Sequence, residues 1–249
     1  MSGHSHWSTI KYKKAAADAK RGKLFSKLAR AISAAARQGG DPNFNARLRS
    51  AIDQARAAGL PKDNIERAVK RGSGGAGGEE LTEVTYEAYG PGGVAMLIDC
   101  ITDNANRTLP EVRKIVEQYG GKTGSAGTVA WLFKRKGLFS VSKDAVDEDS
   151  IMMLALDAGA EDVRVEGDVY EIITPMDAFG AVREALVGAG LAPSVAELSY
   201  IADNELEPET GIQTRALRLM SALEDHDDVQ NVYANFSPTA EAVAGLEEK

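Results

Sequence analysis

Residues 138–201, LFSVSKDAVDEDSIMMLALDAGAEDVRVEGDVYEIITPMDAFGAVREALVGAGLAPSVAELSYI, decide the fold. Alternating and β-branched runs predict strands at 138–142, 162–166, 169–173 and 195–201, and helical spacing predicts helices at 147–158 and 176–189. Gly167-Asp168 makes a tight turn between the two middle strands. The order βαββαβ is that of the ferredoxin-like split unit. A self-contained ferredoxin-like domain is therefore expected over 135–205.

Outward from it, the flanks read as one further domain cut in two. LTEVTYEAY (81–89) and VAMLIDCIT (94–102) predict strands joined by the turn Gly90-Pro91-Gly92-Gly93. A helix over 109–119 follows, with Thr108 and Glu111 spaced as a capping box, and TVAWLF (128–133) reads as a strand that completes a ββαβ unit. After the polar stretch ADNELEPETG (202–211), a helix at 212–226 and a strand at 229–235 return to it. Residues 80–134 and 206–249 are thus expected to form a discontinuous α+β domain around the insertion.

Residues 1–75 read as an all-helical bundle. Helices are expected at 7–20 and 23–37 with a break near Arg21-Gly22, and GGDPN (39–43) stops the second. A third, at 45–58, places Leu48, Ile52 and Ala55 on one face; a fourth begins at Pro61 and buries Ile65 and Val69 before Gly72. GSGGAGGEE (72–80) reads as a flexible joint. Its Gly72, Gly74 and Gly77 match GxGxxG, but a dinucleotide site needs strand, turn, helix, and this one follows a helix. The fold class expected is therefore multidomain α and α+β: a bundle, a middle α+β domain and a ferredoxin-like insertion.

The net charge of −8 conceals a division. Residues 1–75 hold 16 Lys/Arg and 5 Asp/Glu, whereas 76–249 hold 13 and 32. KYKKAAADAKRGKLFSKLARAISAAAR (11–37) alone sets nine Lys/Arg against one Asp. At about 100° per residue, Lys23, Lys27, Arg30 and Arg37 fall within roughly 40° of one direction, and Leu24, Leu28, Ala31, Ile32 and Ala35 lie roughly 80–180° away. The expectation is a helix that packs by one face and offers its charge to a polyanion by the other. The candidate nucleic-acid contacts are Lys11, Lys13, Lys14, Lys20, Arg21, Lys23, Lys27, Arg30, Arg37, Arg47, Arg49, Lys70 and Arg71, with Arg107 as a second contact. Lys70 and Arg71 equally suit a helix C-terminus. Arg107, in DNANRT (103–108), stands beside Asp103, Asn104 and Asn106, which suit turn and helix-start amides.

No catalytic constellation emerges. His4 and His6 lack a third ligand, and His226 in EDHDD suits a helix end. Gly121-Lys122-Thr123 lacks the leading glycine of a P-loop, whose place Val116 takes. The run Asp147-Glu148-Asp149 suits a helix start, and Glu224-Asp225 with Asp227-Asp228 reads as a solvated loop. Phe25 is expected to pack, while Trp7 and Tyr12 either pack or stack on bases. The lone Cys100 offers no disulfide or cysteine metal site. No apolar run reaches a membrane span, and the basic start continues into further helices rather than a targeting segment. A non-enzymatic cytoplasmic protein without metal, cofactor or membrane partner is expected.

The stretches GHSHW (3–7), IKYKKAAADAKRGKLF (10–25), GGDP (39–42), LPKDNIERAVKRG (60–72), YEAYGPGGV (86–94) and TDNANRT (102–108) resemble the YebC/PmpR family of probable transcriptional regulatory proteins. The resemblance is dense through the first half and lies in layout through the second. It implies a helical bundle and two α+β domains, the ferredoxin-like one inserted, in a cytoplasmic DNA-binding regulator. It also implies an alternative, a translation factor on ribosomal RNA: a mitochondrial relative activates translation of cytochrome c oxidase subunit I, and bacterial members are linked to ribosomes stalled on proline-rich sequence. Either way Lys11, Lys14, Lys20, Arg21, Lys23 and Arg37 would face nucleic acid, and the acidic domains would contact the ribosome or another protein. The chain departs from the family pattern at His6, commonly Lys, and at Ala88, commonly Gly.

Overall fold

A computed structural model describes residues 18–74 and 81–246. The expected helix at 7–20 lies mostly outside these residues, as do Lys11, Lys13, Lys14, His4, His6, Trp7, Tyr12 and most of the glycine joint; the Lys20 side chain is likewise not described. The bundle comprises α1 (Asp18–Ala36), α2 (Ala46–Ala57) and α3 (Lys62–Gly72). Contrary to the expected break, α1 runs straight through Arg21-Gly22. A helical glycine costs only about 1 kcal/mol against alanine, and burial of Ile32, Ala35 and Ala36 against Leu48, Ile52, Leu60 and Ile65 offsets it. Phe25 packs on this core as expected; Val69 is half-buried, and Ala68 takes the buried place.

Asn45 ties two of these helices together. Its side-chain oxygen accepts from the Leu48 amide at 3.0 Å to cap α2, while its Nδ2 donates to the Ala35 and Gly39 carbonyls, both at 2.8 Å. Gly72 proves to be a packing residue rather than part of a linker. A Cβ there would lie 2.1 Å from the Ser33 carbonyl oxygen, so only glycine lets α3 approach α1 this closely.

The first sheet holds β1 (Thr82–Tyr89), β2 (Ala95–Thr102), β3 (Lys122–Thr123) and β8 (Val229–Ala234) in the order β3-β1-β2-β8, all antiparallel. Helices α4 (Ala105–Gln118) and α7 (Thr210–Glu224) cover one face, and Met96, Ile98, Val112, Val116, Leu217 and Leu219 fill the core between. Helix α4 starts earlier than the capping-box spacing predicts. Asn104, not Thr108, is its cap, accepting from the Arg107 amide at 3.1 Å.

The second sheet holds β4 (Phe133–Ser142), β5 (Asp162–Glu166), β6 (Val169–Thr174) and β7 (Val195–Ala202) in the order β5-β6-β4-β7. With α5 (Glu148–Asp157) and α6 (Phe179–Gly188) the chain runs βαββαβ, as the sequence predicts. The expected strand at 128–133 is not one: Ala130–Leu132 forms a single 3-10 turn, and a ten-residue β4 begins at Phe133. The carboxylate of Glu87 accepts from the amides of Gly127, Val129 and Ala130, which ladder pairing would require. A short helix α8 (Ala240–Ala244) packs on α7. The two sheets meet through Leu97, Phe133 and Tyr233, with Tyr200 edge-on to Tyr233 at 5.2 Å.

Candidate nucleic-acid interface

Lys23, Lys27 and Arg30 do share one direction on α1, but what they meet is the chain's own acidic turn. Lys23 Nζ donates to the Asp225 carbonyl at 3.0 Å, Lys27 to the Glu224 carbonyl, and Arg30 to the Asp227 carbonyl at 3.1 Å and the Asp228 carboxylate. Arg37 donates to the Leu81 carbonyl. Between them Ala31 and Ala34 pack on Leu81 and Ile101. The expectation that this face points outward is therefore corrected for Lys27 and Arg30, while Lys23 keeps 51% of its side chain exposed. The physical reason is the end of α7. Its last carbonyls lack intrahelical donors and carry the negative end of the dipole, so three cations from α1 cap it.

Asp228 is the centre of this clamp, with only 2% of its side chain exposed. It accepts from Arg107 at 2.9 Å, Thr108 at 2.7 Å and Thr102 at 3.1 Å, besides Arg30. Burial pushes its pKa up, but the hydrogen bonds from Thr108, Arg107 and Arg30 outweigh this and hold it at about 2. The acidic turn is thus not simply a solvated loop. Arg107, which also pairs with Asp103 at 2.8 Å, serves the clamp.

Glu111, His226 and Asp228 each place a donor atom within 4.8 Å of the others. His226 Nδ1 accepts from the Asp228 amide at 3.1 Å, which puts the proton on Nε2, 2.9 Å from Glu111. Two guanidiniums already neutralise Asp228, so the cluster suits hydrogen bonding better than a cation. Asp147 caps α5 by accepting from the Ser150 amide at 2.9 Å, matching its expected helix-start role. Burial pushes the Cys100 thiol up to about 12.

The remaining candidates divide by face. Arg47 turns to the first sheet and pairs with Glu83 at 2.6 Å. Arg49, seven residues before Arg56, shares the opposite flank of α2 with it. Arg56, Lys62 and Lys70 border a groove of about 630 Å³ floored by Ile52, Leu60 and Ile65. Arg21, Lys70 and Arg71 are exposed and make no ion pair with another described residue. Sequence reasoning did not single out Arg56 and Lys62; each stands one turn from an acid, Asp53 at 3.7 Å and Glu66 at 3.6 Å. Exposed pairs of that kind hold a cation only weakly.

These features define a multidomain α+β protein whose basic bundle is clamped onto an acidic two-sheet body. Residues 5–75 match the family model described as "TACO1/YebC protein N-terminal domain" and residues 81–236 that described as "TACO1/YebC second and third domain". The chain belongs to the TACO1/YebC family. A relative in Geobacter sulfurreducens is 51% identical over 99% of this chain and all of its own length, and one in Pelotomaculum thermopropionicum is 52% identical over 95% and 98%; both are named probable transcriptional regulatory proteins. The crystal structure of a conserved hypothetical protein from Aquifex aeolicus superposes with a TM-score of 0.81 at 42% identity, covering 89% of this chain and 92% of that one.

Proposed function

We propose that this chain is a non-enzymatic, cytoplasmic regulator of gene expression that binds duplex DNA through the outer flank of its helical bundle. The observation that carries the proposal is the set of exposed cations Arg49, Arg56, Lys62, Lys70 and Arg71, which the clamp does not use. The names of the relatives support a regulator. Spread cations without a recognisable base-reading helix suit phosphate contact more than sequence readout. The βαββαβ unit is, on this reading, a ferredoxin-like domain inserted into the middle domain. Both α+β domains are acidic overall, and the bulk of their surface is left to meet protein. Among the described residues no helix is long and apolar enough to cross a membrane.

The test compares the full chain's affinity for duplex DNA and for purified ribosomes at matched salt. With six to ten phosphate contacts, DNA affinity falls about 10³- to 10⁵-fold between roughly 50 and 200 mM salt. A flat response, or ribosome binding that persists where DNA binding is lost, overturns the proposal.

A further inference from the structure

The acidic body has one basic exception. Residues 113–136 hold six Lys/Arg and one Glu, while the rest of 76–249 holds seven and 31. Within that stretch the loop between β3 and β4 is closed on itself. Its amides at Gly127 and Val129 reach the buried Glu87 carboxylate at 2.6 Å, and that at Ala130 at 2.8 Å. The Gly124 amide donates to the Glu87 carbonyl at 2.8 Å, and Thr128 Oγ1 donates to the Ser125 carbonyl at 2.6 Å.

This frame holds two aromatic rings at the surface. Trp131 Nε1 at 3.2 Å and the Tyr89 hydroxyl at 3.4 Å both donate to the Thr128 carbonyl. The indole N–H is thereby satisfied while 68% of Trp131 stays exposed, beside a Tyr89 that is 38% exposed. Tyr89 and Lys122 are paired across β1 and β3, so their side chains leave the sheet on the same face. Lys122 is exposed and makes no ion pair with another described residue.

A fixed, exposed indole has nothing left to offer but its ring face, and a neighbouring lysine offers a point charge. Flat π-systems joined by phosphates answer both. We infer that the loop of residues 124–131 is a stacking platform for an unpaired base of a single-stranded nucleic acid, with Lys122 on the adjoining phosphate. The class of partner rests on the proposed function; the geometry is independent of the bundle.

The chain has two tryptophans, so Trp7→Phe leaves Trp131 as the sole indole reporter in the full-length protein. Oligo(dT) and oligo(U) of about 12 nucleotides, within the usual site size, are titrated against it alongside a duplex of equal length. Quenching of Trp131 by either strand is expected. Trp131→Ala should weaken single-strand binding about 5- to 100-fold, Trp131→Phe should keep most of it, and duplex affinity should stay within about twofold, since the ring faces unpaired bases only. Trp131 is too exposed for its loss to unfold the chain. Unquenched fluorescence together with single-strand affinity indifferent to Trp131→Ala overturns the inference while duplex binding leaves the proposed function standing. Quenching without duplex binding does the reverse. Quenching by polyglutamate but by neither strand overturns the inference in favour of an acidic protein partner.

Discussion

Two guanidiniums and two hydroxyls converge on the carboxylate of Asp228, and each comes from a segment at least 120 positions away in the chain. Removing that charge takes its carboxylate partner from Arg30 and leaves Arg107 to Asp103. Asp228→Asn should therefore cost about 3 kcal/mol or more of stability, as breaking one partner of a buried pair does, measured by urea unfolding at neutral pH. The sign of the pH effect follows from the depressed pKa. The carboxylate is stabilising at pH values above its ordinary 3.8 and loses that contribution as pH falls towards about 2. The stability gap between wild type and Asp228→Asn should close over that interval; a gap that persists at pH 2 would deny Asp228 this role. None of this is visible in EDHDD, where four acids look alike. The available signal was the pairing of a cationic stripe with an acidic run just past a helix end.

At the scale of elements, local pattern carried most of the fold. Leu48, Ile52 and Ala55 fall on the buried face of α2 as helical spacing requires, and the βαββαβ order is present with boundaries shifted by a few residues. The failures have a common cause, a side chain acting from a distance. TVAWLF has strand composition, yet Glu87 claims its amides; Gly72 looks like linker, yet Ser33 on another helix requires it. The two helical glycines of the bundle, Gly72 and Gly22, should consequently respond in opposite directions. Gly72→Ala drives a methyl into backbone and should destabilise by about 1–3 kcal/mol. Gly22, with nothing within 4 Å, should gain about 0.5–1 kcal/mol on substitution by Ala. Thermal unfolding of both variants checks this, and equal effects would mean that α1 and α3 are not packed as described.

Across the whole molecule, opposite charges sit at opposite ends of the sequence, and the fold brings part of each together. Composition made the division legible, but it could not say which cations the chain keeps for itself. The stripe of α1 goes to α7, Arg47 to Glu83 and Arg107 to Asp228. The outer flank around Lys70 is the part of the bundle that the account assigns to duplex DNA. The salt dependence of duplex-DNA affinity separates these roles, because each phosphate contact contributes about 0.9 to the log–log slope. Replacing Lys70 and Arg71 together with Gln should flatten the slope by nearly 2, while Lys27→Gln should leave it unchanged. A slope unmoved by the first change and flattened by the second would mean that the α1 stripe leaves its own carbonyls to grip DNA, and would contradict the account.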